Sequence, residues 1–177
     1  MRDGLLLGLL WIASFALYVA GLTSPMLSFF AVGMAVSTPI VVGARLMAFR
    51  NGVLGGYISF GRAWFYVALL FFYGGVLLAI AQFIYFNYID HGFFLQSMYR
   101  ILDGEEAQEL FRNKQALNDL VGQNLHILGT MRPIDIALNF LSTNICIGVI
   151  VGLLLALIFR RTRPKGSEGE NGNVPLA

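Results

Sequence analysis

The chain has 177 residues, of which 57% are hydrophobic and only 12% are charged, and its formal net charge is +2. Soluble domains average about 25% charged residues, so this composition excludes an ordinary water-soluble domain and favours a membrane protein. The small net charge argues against nucleic-acid binding, which relies on strong basic patches. The single cysteine, Cys146, excludes an intramolecular disulfide and a cysteine-based metal cluster.

Four apolar stretches follow one another along the chain, at about 4–22, 26–48, 63–89 and 133–159. Each reaches the roughly 20 apolar residues that a helix needs to cross the hydrocarbon core of a bilayer. We therefore predict an all-α integral membrane protein whose four transmembrane helices form an antiparallel bundle. Residues 1–165 make up its single domain, because the spans leave little chain for a separate soluble unit.

The first stretch has a second interpretation, because a basic residue followed by an apolar run also begins a secretory signal peptide. The bulky Trp11, Phe15 and Tyr18 are unusual in such a segment, and Val19-Ala20-Gly21 is a poor cleavage site. We favour a retained span over a cleaved leader.

Basic residues near the span ends indicate the orientation in the membrane. They precede the first stretch, lie around the second connection and follow the fourth stretch: Arg2, then Arg45, Arg50 and Arg62, then Arg160, Arg161, Arg163 and Lys165. The connection 90–132 instead mixes basic with many acidic residues. The positive-inside rule therefore predicts cytoplasmic termini in a bacterial inner membrane, with 90–132 outside. The polar, glycine-rich tail 166–177 is predicted to be disordered and cytoplasmic.

The external connection is predicted to be helical. From Glu105 onward, apolar residues recur at helical spacing opposite a charged face, the pattern of an amphipathic helix with one buried stripe. A shorter helix is expected from Phe93 to Leu102, before Asp103-Gly104. Such helices lie on the outer leaflet or on the top of a bundle.

Pro39 lies well inside the second stretch, directly after Ser37 and Thr38. Proline removes a backbone hydrogen bond and bends a helix, and neighbouring hydroxyl groups can satisfy the freed carbonyl in a membrane. A kink is predicted here, and a role in shape is favoured over a role in gating.

Small residues form helix faces in the first and fourth stretches. They are Gly4 and Gly8 in the first, and Gly148, Gly152 and Ala156 in the fourth, where the face begins at Asn144. Such faces let helix backbones approach closely. Packing within the monomer is the favoured interpretation, and a homodimer seam is the alternative.

Polar side chains inside the spans are few, and no Asp, Glu, Lys, Arg or His lies near the middle of any span. Proton relays and ion-coupled carriers usually need an ionisable group there, so such a carrier is disfavoured. The cluster Asn139, Thr143 and Asn144 is interpreted as hydrogen bonding between helices, with a ligand site as the alternative.

Ionisable residues do gather near the outer edge of the predicted membrane region, namely Asp90, His91, His126 and Asp135. Their spacing matches no metal-ligand pattern, and Asp135 is better explained as a complement to a helix dipole. The chain carries no recognisable nucleophile–base arrangement or other catalytic motif. We therefore predict no enzyme, no metal and no cofactor, and an enzyme acting on lipids through these residues is the weakest alternative.

Two segments resemble a known family. One is Gly55-Gly56-Tyr57-Ile58-Ser59-Phe60-Gly61-Arg62-Ala63, and the other is an Arg-Pro-x-x-x-Ala-x-x-x-x-Ser-Thr run that enters the last apolar stretch. With the four-span plan, they resemble the small membrane proteins called domain of unknown function 4199, found mainly in Bacteroidota. The resemblance covers the chain up to about Lys165 and implies an inner-membrane helical bundle of uncharacterised role, without catalytic residues.

The first of these segments is predicted to form a turn at the membrane interface, made by Ser59, Phe60, Gly61 and Arg62. In this hypothesis Phe60 anchors the turn, Gly61 packs closely, and Ser59 caps the following helix.

The expected function is that of a non-enzymatic interaction protein or complex subunit of the bacterial envelope. The lipid bilayer is its environment, and itself or another membrane protein is its partner. The alternative is a component of a small oligomeric transporter or channel, since four spans rarely enclose a pathway alone.

Overall fold

The computed structural model describes residues 2–104 and 115–161, and its long elements are all helices. In chain order they are α1 (Arg2–Gly21), α2 (Pro25–Val36), α3 (Thr38–Gly52), α4 (Phe60–Ile84), α5 (Phe93–Leu102), α6 (Gln115–Thr130) and α7 (Pro133–Phe159). A π-helical turn, Tyr85–Ile89, extends α4. The described residues contain no β-strand, only an isolated bridge between Ile58 and Arg161.

Four helical segments are long and apolar enough to cross a membrane. They are α1, the α2–α3 segment Met26–Gly52, α4 with its π turn (Phe60–Ile89), and α7. Their number and order match the sequence prediction, but two ends differ from it by three residues or more. The second segment continues to Gly52, because the backbone N–H of Val53 still donates to Phe49 O (3.0 Å). The third begins at Phe60 rather than Ala63, because Ser59 is the last extended residue.

Helix α4 is the centre of the bundle, since it packs on both α1 and α7. Glycines make the approach of α1 possible: a Cβ at Gly4 would lie 2.8 Å from Tyr73 Cβ, and one at Gly8 would lie 2.9 Å from Leu77 Cβ. The buried core follows this contact, with Leu7 from α1 and Val67 and Phe71 from α4. Close backbone approach is therefore what the small residues provide here.

The end of the bundle that carries Arg2 and Phe159, called here the terminal end, is held by polar contacts between helices. The hydroxyl group of Tyr66 donates to Asp3 (2.7 Å), which also pairs with Arg45 (3.8 Å). Arg50 donates to the carbonyl oxygen of Phe159 (3.2 Å), at the C-terminus of α7. Cations stabilise the unpaired carbonyl groups at such a terminus.

The connection between α4 and α7 lies at the opposite end of the bundle from the terminal end. Helix α5 runs from Phe93 to Leu102, as predicted, and α6 supplies a second helix that contacts it. The predicted helix start near Glu105 lies outside the described residues, as does the tail 166–177. Helix α6 itself, Gln115–Thr130, lies within the stretch predicted to be helical.

Two local predictions for the turn before α4 were wrong. Ser59 occupies the N-cap position of α4, but its side chain makes no capping hydrogen bond. Gly61 is exposed, and nothing lies within 4 Å of the position of a Cβ there, so this glycine does not pack closely. Ile58, 2% exposed, is buried in the hydrophobic core instead, and its backbone pairs with Arg161 at the end of α7.

Candidate functional site

The break between α2 and α3 shapes the most open part of the bundle. Pro39 has no N–H group, so it cannot donate to the carbonyl of Ala35 as a helical residue would. The backbone N–H groups of Ile40 and Val41 instead both donate to Ser37 O (3.0 Å each). The predicted kink is thus a helix break at Ser37, and it divides one membrane-length segment into two helices that contact different neighbours.

Those two helices part at the break. Helix α2 packs along α1, where Ser14 donates to Ala31 O (2.9 Å). Helix α3 instead reaches α7, with Gly43 against Phe159 and Leu155. Because α3 meets α7 and α2 packs on α1, a wedge of space remains between α2 and α7 on the side of the break away from the terminal end.

This wedge is a cavity of about 470 Å³. Side chains from α1, α2, α3, α4 and α7 line it: Trp11, Ser14, Phe15, Tyr18, Ala31, Val32, Ala35, Thr38, Pro39, Phe71, Leu78, Gln82, Phe140, Asn144, Ile147 and Val151. Most of this lining is apolar or aromatic, and none of it is charged. A cavity of this size and composition is typical of a binding site for a small apolar molecule.

Polar groups in the cavity differ in how far the protein satisfies them. The indole Nε1 of Trp11 donates to Thr38 Oγ1 (3.0 Å), which links α1 to the start of α3. Gln82 is only 2% exposed, yet its Oε1 accepts no hydrogen bond from any described residue. An unpartnered buried oxygen of this kind is uncommon, since about 90% or more of buried polar groups are hydrogen-bonded.

A second feature is a polar stripe on the outside of α7. Asn139, Ser142, Thr143 and Cys146 are all exposed and lie on one face at helical spacing. None of the four side chains makes a hydrogen bond to another described residue. The exposed side chains on the other spans are mostly large and apolar, for example Phe29, Phe30, Ile40, Phe65 and Ile80. We call these four residues the polar stripe.

The structure separates the cluster that the sequence suggested at Asn139, Thr143 and Asn144. Asn144 turns toward the cavity, whereas Asn139 and Thr143 face outward. Hydrogen bonding between helices of the same chain, the favoured interpretation, is therefore not found among the described residues. The one-residue step from 143 to 144 turns a helix by about 100°, which moves these neighbours to different faces.

The small-residue faces lie inside the chain. Gly148 is buried against Phe71, and a Cβ at Gly152 would lie 3.2 Å from Trp64 Cδ1. Ala156 is fully buried, and Trp64 Nε1 donates across the same contact to Val149 O (3.3 Å). Gly4 and Gly8 face α4 in the same way. A homodimer could form through either face only if α4 first separated from that face.

The predicted interface turn sits at the terminal end. Phe60 is half-buried against the core, while Ser59 and Arg62 are exposed. Its four residues line none of the three cavities described for this structure, and none of them carries an unpaired buried polar side-chain atom.

The ionisable residues at the other end have structural partners. Buried Asp90 accepts hydrogen bonds from Tyr85 OH (2.8 Å) and from the N–H groups of Phe94 (2.8 Å) and Gly92 (3.1 Å). Asp135 accepts two from Arg132 (2.8 and 3.0 Å), and this carboxylate raises the pKa of that guanidinium.

The two histidines are not brought to these carboxylates as a ligand set. His91 is exposed, with Nδ1 2.9 Å from Ile89 O, and His126 is exposed on α6. Across residues 2–104 and 115–161, no three side chains of histidine, cysteine, aspartate or glutamate come together in a way that could hold a metal ion.

Together, the four long apolar helices indicate a membrane protein of the helical class. The chain belongs to the DUF4199 family, described as proteins of unknown function, whose family model matches residues 2–161. Neither a curated protein nor a solved structure matches the chain. The family resemblance seen in the sequence is therefore confirmed.

Proposed function

We propose that this protein is a non-enzymatic subunit of the bacterial envelope that binds another membrane helix through the polar stripe on α7. It spans the inner membrane four times as an antiparallel bundle, with both termini in the cytoplasm. The contacts between α1 and α2 support an antiparallel order of these two helices: Gly21 meets Ser28, whereas Ser14 meets Ala31, so residue numbers rise in α1 as they fall in α2.

The single observation that carries the proposal is the exposure of amide and hydroxyl groups on a span whose surroundings are apolar. Hydrocarbon offers no hydrogen-bond partners, and polar side chains in membrane helices usually bond across a helix interface. Asn139, Ser142 and Thr143 have no such partner within the described chain. A second helix that presents amide or hydroxyl groups would satisfy them.

A second copy of this chain is the simplest such helix, because the same stripe on two copies is self-complementary about a two-fold axis. Another membrane protein with a matching stripe is the other source. A homo-oligomer would also serve the alternative function, a small transporter or channel component, since the stripes of several copies would then surround a common axis.

The experiment is native mass spectrometry of the full chain in lipid nanodiscs, together with a gentle pull-down from its host. The test variant is Asn139→Leu with Thr143→Val, and the matched control is Asn87→Leu, an exposed asparagine on the π turn. Interhelical hydrogen bonds in membranes contribute about 0.6–1.7 kcal/mol each, so we expect the loss of two of them in the double variant to weaken association about 8- to 300-fold.

The control variant should associate like the wild type. A discrete homo-oligomer or a stoichiometric partner that the stripe variant loses would support the proposal. A wild-type protein that is monomeric and free of partners in both measurements would refute it. If the double variant formed the same complex as the wild type, the interface would lie elsewhere on the protein and the proposed role of the polar stripe would be wrong.

A further inference from the structure

The cavity between α2 and α7 contains a hydrogen-bonding group that the chain leaves unused. Gln82 lies on α4 and lines the cavity, and it is 2% exposed with an unpartnered Oε1. Leaving a buried acceptor unpaired in apolar surroundings is unfavourable. The presence of a glutamine here, beside the apolar Leu78 and Phe71, is explained if its amide has a partner that enters the cavity from outside.

The rest of the lining restricts what this partner can be. Aromatic and aliphatic side chains make up most of the wall, and no charged residue contributes to it. A head group with a net charge would lack a counter-ion, which is costly at this depth in a membrane. Asn144 and Thr38 add further neutral polar atoms to the wall. The walls therefore suit a neutral amphiphile rather than a phospholipid head group or an inorganic ion.

Access to the cavity is lateral. Val32 and Ala35 line it and are both exposed, so they lie at its mouth on the membrane-facing side of α2. The break at Ser37 keeps α2 away from α7, and Pro39 forms part of the wall. Interrupted helices that line a cavity are a recurring feature of binding sites within membrane proteins.

We propose that this cavity binds a neutral single-chain amphiphile, taken up from the bilayer, whose hydroxyl group hydrogen-bonds to the side-chain amide of Gln82. The alkyl chain lies against Trp11, Phe71 and Phe140. This inference does not depend on the proposed subunit function, because the polar stripe plays no part in it: Asn139, Ser142, Thr143 and Cys146 do not line the cavity.

The test uses the full chain in nanodiscs and two photoactivatable probes with the same sixteen-carbon chain, one a primary alcohol and the other a plain alkane. Mass spectrometry maps the labelled residues. We expect the alcohol to label the walls of the cavity on α4 and α7 about fivefold more than the alkane does. Gln82→Met keeps the length of the side chain and removes the hydrogen bond, so it should abolish this preference for the alcohol.

A second variant tests the cavity itself. Ala35→Trp places an indole at the mouth and should reduce labelling by both probes, while Ala13→Trp, at an exposed alanine that does not line the cavity, should leave labelling unchanged. Equal labelling by alcohol and alkane in the wild type would overturn the proposal, since it would show only contact with bulk lipid. Labelling that Ala35→Trp does not reduce would overturn it as well.

Discussion

At the scale of single residues, Asp90 is a carboxylate that the protein buries. Its side chain is 7% exposed and receives hydrogen bonds from Tyr85 OH and from the N–H groups of Gly92 and Phe94. Those bonds hold the backbone through His91 and Gly92, which adopt φ values of 43° and 86°. Asp90 thus joins the π turn to the start of α5, and all its partners belong to the local chain.

We therefore expect Asp90→Ala to lower the free energy of unfolding by about 2–3 kcal/mol, because hydrogen bonds to a charged acceptor contribute about 1.5–3 kcal/mol and a lost cap adds to this. Asp119→Ala, at an exposed residue of α6, should change it by less than about 0.5 kcal/mol. Unfolding of the detergent-solubilised protein, followed by tryptophan fluorescence, measures both. Equal effects would show that Asp90 is not the anchor of this turn.

Gly148 is a second residue whose role depends on its environment. A Cβ there would collide with the side chain of Phe71, whereas nothing lies within 4 Å of the corresponding position at Gly33. We expect Gly148→Ala to destabilise the protein by about 1–3 kcal/mol through overpacking. Gly33→Ala should be neutral or stabilising by up to about 1 kcal/mol, because alanine favours the helix.

Thermal denaturation of the two alanine variants in the same detergent compares them directly. If Gly148→Ala were as stable as Gly33→Ala, α4 and α7 could not approach as closely as the structure has them.

At the scale of the helices, the terminal end shows how polar contacts join three elements. Asp3 of α1 receives a hydrogen bond from Tyr66 of α4 and pairs with Arg45 of α3. A salt bridge near the surface contributes little by itself, about 0–1 kcal/mol. The hydrogen bond from the tyrosine fixes the carboxylate where the arginine can reach it, so the group acts as a unit.

Tyr66→Phe tests this group because it removes only the hydroxyl group. We expect a loss of about 1–2 kcal/mol in the free energy of unfolding, as is usual for a hydrogen bond to a charged acceptor. Tyr73→Phe is the matched control, since Tyr73 is 41% exposed on the same helix and its hydroxyl group bonds to no described residue. A double-mutant cycle of Tyr66→Phe with Arg45→Ala should show coupling. Purely additive losses would mean that the two contacts are independent.

At the scale of the whole molecule, the proposed orientation predicts which parts of the chain face each side of the membrane. In a background with Cys146→Ala, single cysteines at Asp119 and Arg161 should behave oppositely toward a membrane-impermeant maleimide added to intact spheroplasts. We expect rapid labelling at 119 on α6 and labelling at 161 only after the membrane is opened. The reverse labelling pattern would show the opposite orientation in the membrane and would contradict the prediction from the positive-inside rule.

Much of this architecture could be predicted from the sequence because its signals are local. The apolar lengths identified the four segments that are long and apolar enough to cross a membrane, and the helix Phe93–Leu102 was predicted with both ends as the structure has them. Hydropathy and helix-breaking residues act over a few turns of chain, so they can be read without knowing what packs against what. The family resemblance likewise depends on short runs of residues.

The sequence alone was less informative about faces. It grouped Asn139 with Asn144, although Asn139 faces outward and Asn144 lines the cavity. It also predicted close packing at Gly61, which is exposed, whereas nearby Ile58 is buried. Which side of a helix meets lipid depends on how the helices are arranged, and no local pattern determines this when the spans are apolar nearly all round.

Thus the sequence by itself determined the number, order and approximate length of the apolar helical segments, since the preference of apolar side chains for a bilayer over water is a property of each segment. Only the tertiary structure decided that Gly4, Gly8, Gly148 and Gly152 face α4, that Asn139, Ser142 and Thr143 face outward, and that Gln82 borders a cavity without a partner. These depend on the break at Ser37 and on the close approach of α1 and α7 to α4. Such contacts join residues far apart in the chain, and packing rather than hydropathy selects them.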